Sequence, residues 1–386
     1  MLRNVTDKRR NWTTHAEENG FKFHTMYGEP YWNEGVHYEF TLREIEDKIE
    51  DPSTELHLMC LDVVDRIIGS GEAMERLGIP RASWDYVYNS WKKERHNNLY
   101  GRFDLIYNGM GPAKMIEYNA DTPTSLWEAS IYQHLWLGDA KEQGIIDPRA
   151  DQFNLIHEKL IARIGNNLPI KGDFFFSSFG GVEEDYACVE YLGWCAVEAG
   201  INPEHINVED ISIRENGQFV TKDNREINSI FMLYPWEDML RDDYAEYLPD
   251  SDTTWFEPAW KSLLSNKGLL PYLWKYNKGH PNLLESYFED EGHSMEAFVK
   301  KPIFSREGSS IEMIDSGVLI EKAEDMSYAD NPSIIQEYAP IESFDGNFPV
   351  IGAWIVGDEC VGMGLREDHS RITQDLSRFT PHTIVY

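Results

Sequence analysis

The sequence predicts a mixed fold with both α+β and α/β parts, and three observations lead to it. Residues 37–100 repeat apolar side chains at spacings of three and four, the pattern of amphipathic helices. Residues 167–236 alternate short apolar runs with one long helical segment, and residues 347–368 hold two apolar runs joined by a Gly-Asp turn. At 386 residues, 41% of them hydrophobic, the chain is long enough for two or three subdomains around a substantial core.

Helices are predicted in the first part of the chain. Within residues 37–100, Thr41 and Glu44 have the spacing of a capping box, in which each side chain accepts from the other residue's backbone N–H. Ser125 and Glu128 repeat this spacing at the start of SLWEASIYQHLWL, which predicts a further helix.

A small α/β unit is predicted next. The runs 173-DFFFSSFGG, 205-HINVEDISI and 230-IFMLYPW are typical of strands, and 183-EEDYACVEYLGWCAVEAG is typical of a helix. Strand, helix, strand and strand with short connections indicate a Rossmann-like unit.

The last third of the chain is predicted to be mainly β. The runs 296-EAFVKKPI and 333-SIIQEYA are predicted strands on either side of a Ser/Gly-rich loop, and residues 347–368 are a predicted antiparallel pair. No long linker separates these segments, so we expect them to form one compact unit.

The formal net charge of −32 at pH 7 comes from 35 basic and 67 acidic residues. Such a surface repels nucleic acid and anionic membranes, so neither is expected as a partner. It attracts cations, but acidic residues also simply keep proteins soluble, and both interpretations stay open. The sequence has no apolar signal segment, no run of membrane-spanning length and no C-x-x-C pair among its four cysteines. We therefore expect a cytoplasmic protein with reduced, mostly buried thiols.

The segment 102-RFDLIYNGMGPAKMIEYN-119 is a predicted β-hairpin with polar residues at alternate positions. With the turn centred in NGMGPA, Asp104 lies opposite Glu117 and Arg102 opposite Asn119, all on one face. Facing carboxylates destabilise a hairpin unless a cation lies between them, and these oxygen ligands suit magnesium, with the arginine beside it for an oxyanion. A polar face that merely meets water is the alternative. The hydroxyl-rich ADTPTS that follows and feeds a helix start argues against it.

The basic loop 300-KKPIFSREGSS-310 carries Lys301 and Arg306 after a predicted strand. Two cations with glycine and serine backbone N–H groups suit closure over phosphates, although an ordinary surface loop can have the same composition. The sequence contains neither G-x-x-x-x-G-K-[ST] nor G-x-G-x-x-G, so a nucleotide site here is of another kind. Separately, 180-GGVEED-185 places three acids at a helix start, where they either complement the helix dipole or bind a cationic amine.

Taken together, these segments resemble the synthetase domain of glutathionylspermidine synthase, an ATP-grasp-like carbon–nitrogen ligase. The similar motifs in chain order are R-x-D at 102, E-Y-N-A-D at 117, G-G-V-E-E-D at 180, W-E at 236, S-N-K-G-L-L-P at 265, K-P-I-x-x-R-x-G-S at 301, Q-E-Y at 336 and G-x-x-L-R-x-D at 362. Their order and number make the resemblance specific. It implies an ATP-grasp-like fold with a small Rossmann-like (pre-ATP-grasp) subdomain over 166–262 and an ATP-binding lid over 263–344. Residues 1–165 and 345–386 are then the core that carries the metal site.

The resemblance also implies roles for individual residues. Asp104, Glu117 and Asn119 are expected to bind magnesium, and Arg102 and Arg306 to be the catalytic cations. The expected ATP-binding residues are Lys267, Lys301, Gly308, Gln336 and Tyr338. The expected substrate-binding residues are Thr122 and Thr124 near a peptide, Glu183 and Glu184 toward a polyamine, and Arg366.

The implied reaction requires ATP and Mg²⁺, and its partners are small molecules. ATP phosphorylates a glutathione-like carboxylate, and a neutral amine attacks the acyl phosphate to leave an amide, with catalysis by positioning and electrostatics. About 100 residues precede Arg102, so the amidase domain of bifunctional family members is not expected. Threonines replace the family's serines near the peptide, which leaves open another peptide and amine pair. A non-catalytic nucleotide-binding protein is a further alternative, and a glycosidase would explain neither the basic loop nor Arg102.

Overall fold

The computed structural model describes residues 1–374 and 376–385, which form β-sheets flanked by helices. Within them the α-helices are α1 (Trp12–Glu18), α2 (Leu42–Glu44), α3 (Asp51–Ile67), α4 (Gly71–Arg76), α5 (Trp84–Glu94), α6 (Gln133–Glu142), α7 (Ile156–Asn167), α8 (Glu183–Glu198), α9 (Trp236–Met239) and α10 (Leu269–Tyr276). Two π-helical turns, Ile45–Glu50 and Glu128–Tyr132, lead into α3 and α6. None of the helices described here combines the length and the apolar character that crossing a bilayer requires.

The strands of the described residues are β1 (Leu2–Val5), β2 (Thr25–Met26), β3 (Glu29–Pro30), β4 (Val36–Thr41), β5 (Tyr100–Ile106), β6 (Lys114–Asn119), β7 (Phe174–Ser178), β8 (Pro203–Asn207), β9 (Ile211–Ile213), β10 (Phe219–Thr221), β11 (Ser229–Met232), β12 (Thr254–Phe256), β13 (Ser286–Phe288), β14 (Ala297–Pro302), β15 (Glu312–Asp315), β16 (Val318–Lys322), β17 (Ser333–Glu337), β18 (Phe348–Val356), β19 (Glu359–Asp368), β20 (Arg378–Thr380) and β21 (His382–Val385). Three sheets matter for the site. The central sheet has the order β20-β19-β18-β5-β6 and the parallel sheet β12-β11-β7-β8. The third sheet, β13-β17-β14-β15-β16, lies within the predicted lid and is called the lid sheet for that reason alone.

The parallel sheet is the predicted Rossmann-like unit, since each neighbouring pair of its strands runs parallel. In β7, Phe175 packs into one hydrophobic cluster while Phe174 and Phe176 pack into another, so both faces of the strand are covered. A continuous apolar run is what such a strand requires. The prediction of one strand over 205–213 is wrong in part. A 3₁₀ turn at Val208–Asp210 ends β8, and β9 pairs with β10 in a separate hairpin.

The central sheet contains the predicted hairpin, formed by β5 and β6. Arg102 lies opposite Asn119 and Asp104 opposite Glu117, which confirms the predicted register. All seven residues of β5 are buried, because β6 and β18 pair with its two edges and side chains cover its faces. A β-bulge follows Asp104, and bulges of this kind re-aim side chains at functional sites. The antiparallel pair predicted over 347–368 is also confirmed, as β18 and β19.

The helical prediction for 37–100 holds from Leu42 onward, because the preceding residues form β4. The Thr41–Glu44 capping box is confirmed, with the Glu44 carboxylate 2.9 Å from the Thr41 nitrogen. The capping box predicted for Ser125 and Glu128 is wrong. Ser125 adopts a left-handed φ of 66°, and the Glu128 carboxylate points into the core, where it accepts from a tyrosine hydroxyl.

The lid sheet confirms β14 and β17 and adds a hairpin that the sequence did not predict. In β16, the consecutive apolar residues Val318, Leu319 and Ile320 are all exposed, so the alternation that marks a half-buried strand is missing. The four cysteines are buried free thiols, as expected.

Candidate active site

A deep cleft lies between the hairpin face of the central sheet and the lid sheet. Most of the residues singled out in the sequence line it, namely Arg102, Asp104, Glu117, Asn119, Thr122, Thr124, Lys301, Arg306, Gly308, Gln336, Tyr338 and Arg366. Lys267 adjoins this lining, with its Nζ 3.1 Å from a Glu117 carboxylate oxygen. We call this the basic cleft.

Two arginines converge on one carboxylate at the base of the basic cleft. Arg102 donates to both Asp104 oxygens, at 2.6 and 3.2 Å, and to the Thr124 carbonyl oxygen at 2.8 Å. Arg366 reaches the same carboxylate from β19 at 2.6 Å. Burial would lower the pKa of the Arg102 guanidinium, but the Asp104 charge outweighs it and raises that pKa. Gly352 on the neighbouring strand leaves room for this arrangement, since a Cβ there would lie 2.7 Å from the Arg102 side chain.

Two lysines neutralise the second carboxylate of the hairpin. Burial alone would raise the pKa of Glu117, but the ammonium groups of Lys267 and Lys301 hold it far below its usual range. Burial in turn lowers the pKa of Lys301 to about 8. Its Nζ donates to the Gln336 side-chain oxygen at 2.7 Å and to a β6 carbonyl oxygen at 3.0 Å. Asn119 completes the group by donating to Glu117 at 3.1 Å.

The basic loop after β14 closes one wall of the cleft. Arg306 donates to the Thr122 hydroxyl at 3.0 Å and lies 3.4 Å from the Glu237 carboxylate. Lys267 holds the start of the loop by donating to the Ser305 carbonyl oxygen at 2.8 Å. At Gly308 the backbone has a left-handed φ of 69° and packs so closely that a Cβ would lie 2.4 Å from the Thr373 carbonyl oxygen.

The far end of the basic cleft is apolar. Gln336 is buried there, and its amide nitrogen donates to the Met115 carbonyl oxygen at 3.3 Å. The surrounding wall consists of Ile106, Ile116, Leu284, Val299, Met313 and Ile341, with Tyr338. This wall can take a flat apolar group, with the Lys301 ammonium at its edge through the hydrogen bond to Gln336.

A second, acidic cleft adjoins the first. Glu183, Glu184 and Asp185 from the first turn of α8 line it, together with Tyr31 and Ser125. The two sequence-predicted acids therefore lie here and not in the basic cleft. Thr124, Glu307 and Arg366 line both clefts, so the two are continuous.

Some residues at the site were missed by the sequence analysis. Asp121 accepts from the Ser265 hydroxyl at 2.6 Å and from the Trp236 backbone nitrogen at 3.1 Å, and so fixes the turn that carries the two threonines. Glu237 supports Arg306. Both belong to quoted motifs, E-Y-N-A-D and W-E, which is the signal that could have identified them. Tyr31 had no such signal, because it lies far from these motifs in the sequence.

The donor set of the hairpin is compatible with a magnesium ion. Two carboxylates and one amide oxygen are hard ligands on adjacent strands. Within residues 1–374 and 376–385, no group of three or more His, Cys, Asp or Glu side chains is arranged to hold a metal. A partial set of protein ligands is what magnesium uses when water and phosphate oxygens complete its coordination.

Comparisons with known proteins identify the family of the chain. The family model for the glutathionylspermidine synthase preATP-grasp domain matches residues 3–385. A Haemophilus influenzae protein provisionally named an acid–amine ligase is 39% identical over 380 residues, which cover 95% of each chain. The trypanothione synthetase of Crithidia fasciculata is 26% identical over 83% of this chain, and the bifunctional glutathionylspermidine synthetase/amidase of Escherichia coli is 24% identical over 92% of it. The matches span only 52% and 60% of those two longer proteins.

A solved structure shares the fold. The glutathione synthetase-like effector of Globodera pallida, in its apo form, has a TM-score of 0.54 at 12% identity, with 90% of this chain and 89% of that chain covered. The chain therefore belongs to the glutathionylspermidine synthase preATP-grasp family, has an ATP-grasp-like fold and is an enzyme of the ligase class.

Proposed function

We propose that this protein is an ATP- and Mg²⁺-dependent ligase that joins a peptide-like carboxylate, such as that of glutathione, to an amine of the polyamine type. The observation that carries the proposal is the pair of continuous clefts of opposite charge that share Thr124 and Arg366. A cation-lined cleft suits a nucleotide and an activated carboxylate. An acid-lined cleft beside it suits an ammonium group.

The nucleotide would occupy the basic cleft along its length. Lys267, Lys301 and Arg306 would contact the phosphates, and the backbone around Gly308 would close over them. The adenine would lie at the apolar end, against Gln336 and Tyr338.

Asp104, Glu117 and Asn119 would hold the magnesium ion, which when bound neutralises charge on the phosphate oxygens. Lys267 and Lys301 keep Glu117 ionised by lowering its pKa, because an uncompensated buried carboxylate would instead take up a proton. The site is thus ready to exchange one positive partner for another.

The reaction would proceed at the junction of the two clefts. The substrate carboxylate would lie near Thr122 and Thr124 and attack the terminal phosphorus, and ADP would leave as the bond to the bridging oxygen breaks. Arg102 would stabilise the charge on the phosphoryl group during this transfer. The acyl phosphate then faces the acidic cleft, from which the amine attacks the acyl carbon and phosphate leaves. Holding both partners at one junction supplies most of the catalysis.

We also propose the division into a core (1–165 with 345–386), a Rossmann-like subdomain (166–262) and an ATP-binding lid (263–344). A cytoplasmic location fits the buried free thiols and the use of ATP. The same chemistry with another peptide and amine is the second candidate, and it is favoured by the threonines at 122 and 124. A nucleotide-binding protein without turnover is the third, and it leaves unexplained why metal ligands and phosphate cations occur together.

The test is ADP release from the purified protein with MgATP under four conditions: no addition, glutathione, spermidine, or both. We expect turnover only with both. ATP binding without turnover in any mixture would reject this substrate pair. The Asp104→Ala and Glu117→Ala variants should lose ADP release, and the comparison counts only where circular dichroism shows a wild-type fold, because each change leaves a buried cation without its carboxylate. Wild-type protein that binds nucleotide but never hydrolyses it with any carboxylate and amine would reject the ligase proposal.

A further inference from the structure

An amine that attacks an acyl phosphate must first lose a proton. Alkyl amines are ammonium ions near neutral pH, and an ammonium nitrogen has no free electron pair. The acids of the α8 first turn can attract the ammonium, but Glu183 is exposed to solvent. A proton acceptor that works near pH 7 needs a less solvated environment.

Such an environment exists in the wall of the acidic cleft. Tyr31 lines the cleft, and its hydroxyl donates to a Glu128 carboxylate oxygen at 2.5 Å. The same hydroxyl lies 3.2 Å from the Ser125 hydroxyl, which also lines the cleft. Glu128 itself is only 1% exposed, so a proton from the cleft would reach it through the hydrogen bond from Tyr31.

Glu128 is more deeply buried than the α8 acids of the cleft, of which Glu183 is exposed and Asp185, whose pKa burial also raises, is half-buried. Burial raises the pKa of the Glu128 carboxyl to about 7, against the opposing effects of the Tyr31 hydrogen bond and of the two cleft arginines. The groups that act on this pair are Tyr31 and Ser125 by contact, Arg102 from β5, Arg366 from β19, and Cys188 and Glu184 from α8. Arg102 and Arg366 stabilise the ionised form of Glu128, and burial makes this carboxylate a stronger base than an exposed acid.

We propose that Tyr31 and Glu128 form the proton acceptor for the attacking amine, an inference that rests on the ligase function proposed above. The ammonium N–H bond breaks as the Tyr31 oxygen takes the proton, and the tyrosine's own O–H proton moves to Glu128. The amine nitrogen keeps the electron pair of the broken bond and forms the C–N bond to the acyl carbon, while phosphate leaves with the electrons of the C–O bond. The next cycle begins when Glu128 returns its proton to solvent through the same tyrosine.

This assignment gives Glu128 a role that depends on the nucleophile. Hydroxylamine is a weakly basic nucleophile that is already neutral near pH 7, so it intercepts an acyl phosphate without an enzymatic proton acceptor. Removal of the acceptor should therefore spare hydroxamate formation and impair amide formation with an alkyl amine. General base catalysis is worth roughly 100-fold or more, and this is the expected loss.

The experiment compares Glu128→Gln and Tyr31→Phe with wild type in two assays with MgATP. One measures hydroxamate from the carboxylate substrate and hydroxylamine. The other measures kcat/KM for the amine against pH, with the carboxylate and amine pair on which wild type turns over. We expect both variants to form hydroxamate at near wild-type rates, and to lose about 100-fold in amide formation. The acidic limb of the wild-type pH profile should be absent from the Glu128→Gln profile.

Tyr132→Phe is the matched control, because it removes another buried tyrosine hydroxyl from the same hydrophobic cluster, one that accepts from Arg9 at 3.1 Å. It should leave both assays unchanged. Amide formation that keeps its rate and acidic limb in Glu128→Gln would overturn the inference, and so would an equal loss of hydroxamate and amide. If Glu128→Gln does not fold, Tyr31→Phe decides by the same two comparisons. Wild-type protein that forms neither amide nor hydroxamate with any carboxylate tested would instead reject the ligase function.

Discussion

Replacement of Gly308 by alanine tests whether closure of the basic loop determines nucleotide affinity. Gly308 has a left-handed φ of 69°, and an added Cβ would lie 2.4 Å from the Thr373 carbonyl oxygen and 2.6 Å from a methyl carbon of Ile372. The first neighbour is backbone and cannot rotate away. The loop must therefore move off the segment that follows β19, and it carries Arg306 with it.

The magnitude follows from two separate costs. A non-glycine residue in the left-handed region costs about 1–2 kcal/mol. Relief of a contact about 1 Å too short in a packed region adds typically 1–3 kcal/mol. The second cost applies only to the closed loop, so it weakens MgATP binding by roughly 5- to 150-fold.

Gly317→Ala is the matched control for this variant. Gly317 lies in the turn between β15 and β16 of the same sheet, has a φ of 77°, and has no atom within 4 Å of an added Cβ. It incurs the left-handed cost alone and should bind MgATP as wild type does. Isothermal titration of both variants with MgATP measures the difference. Equal affinities would refute the argument that contact with the Thr373 backbone holds the loop closed over the nucleotide.

Three further predictions concern the metal, the amine and the pH dependence of stability. Asp104→Asn and Glu117→Gln should each raise the magnesium concentration for half-maximal turnover about tenfold or more, and chelation with EDTA should abolish turnover in wild type. Glu183→Gln should raise KM for the amine several-fold and leave hydroxamate formation from hydroxylamine unchanged. Burial lowers the pKa of His382 from 6.5 to about 3, so its contribution to stability is complete above pH 6.5 and falls by up to about 1.4 kcal/mol per pH unit below it. Between pH 6.5 and 4.5, the free energy of unfolding measured by urea denaturation should therefore change less with pH for His382→Gln than for wild type.

The hairpin was predictable because its information is local. The alternation of polar and apolar residues fixes which side chains share a face, and the length of the turn fixes the register, so the pairing of Asp104 with Glu117 follows from 18 consecutive residues. The resemblance extended this to Lys301, in a strand of a different sheet, and to Arg306, in the loop that follows that strand.

The pairing of Tyr31 with Glu128 could not be predicted in the same way. Their contact joins residues 97 positions apart, and the spacing of Glu128 from Ser125 indicated a helix cap instead. The capping-box spacing does not decide where the Glu128 side chain lies, because the carboxylate accepts from a hydroxyl inside the core. The Ser125 backbone also adopts a left-handed conformation before the helix. The short strands β15 and β16 escaped prediction for a related reason, since their pairing is set by neighbouring strands and not by periodicity.

In the absence of a ligand, cationic and acidic side chains of the basic cleft pair with one another. Arg102 and Arg366 share the Asp104 carboxylate, and Lys267 pairs with Glu117. Cations buried without such partners would be strongly destabilising, so the carboxylates make the cleft compatible with folding. The same carboxylates are the expected metal ligands. A metal ion bound to them would release the arginines and the lysine, which would then be free to contact phosphate. Metal binding and phosphate binding are then coupled through shared partners, and each should strengthen the other.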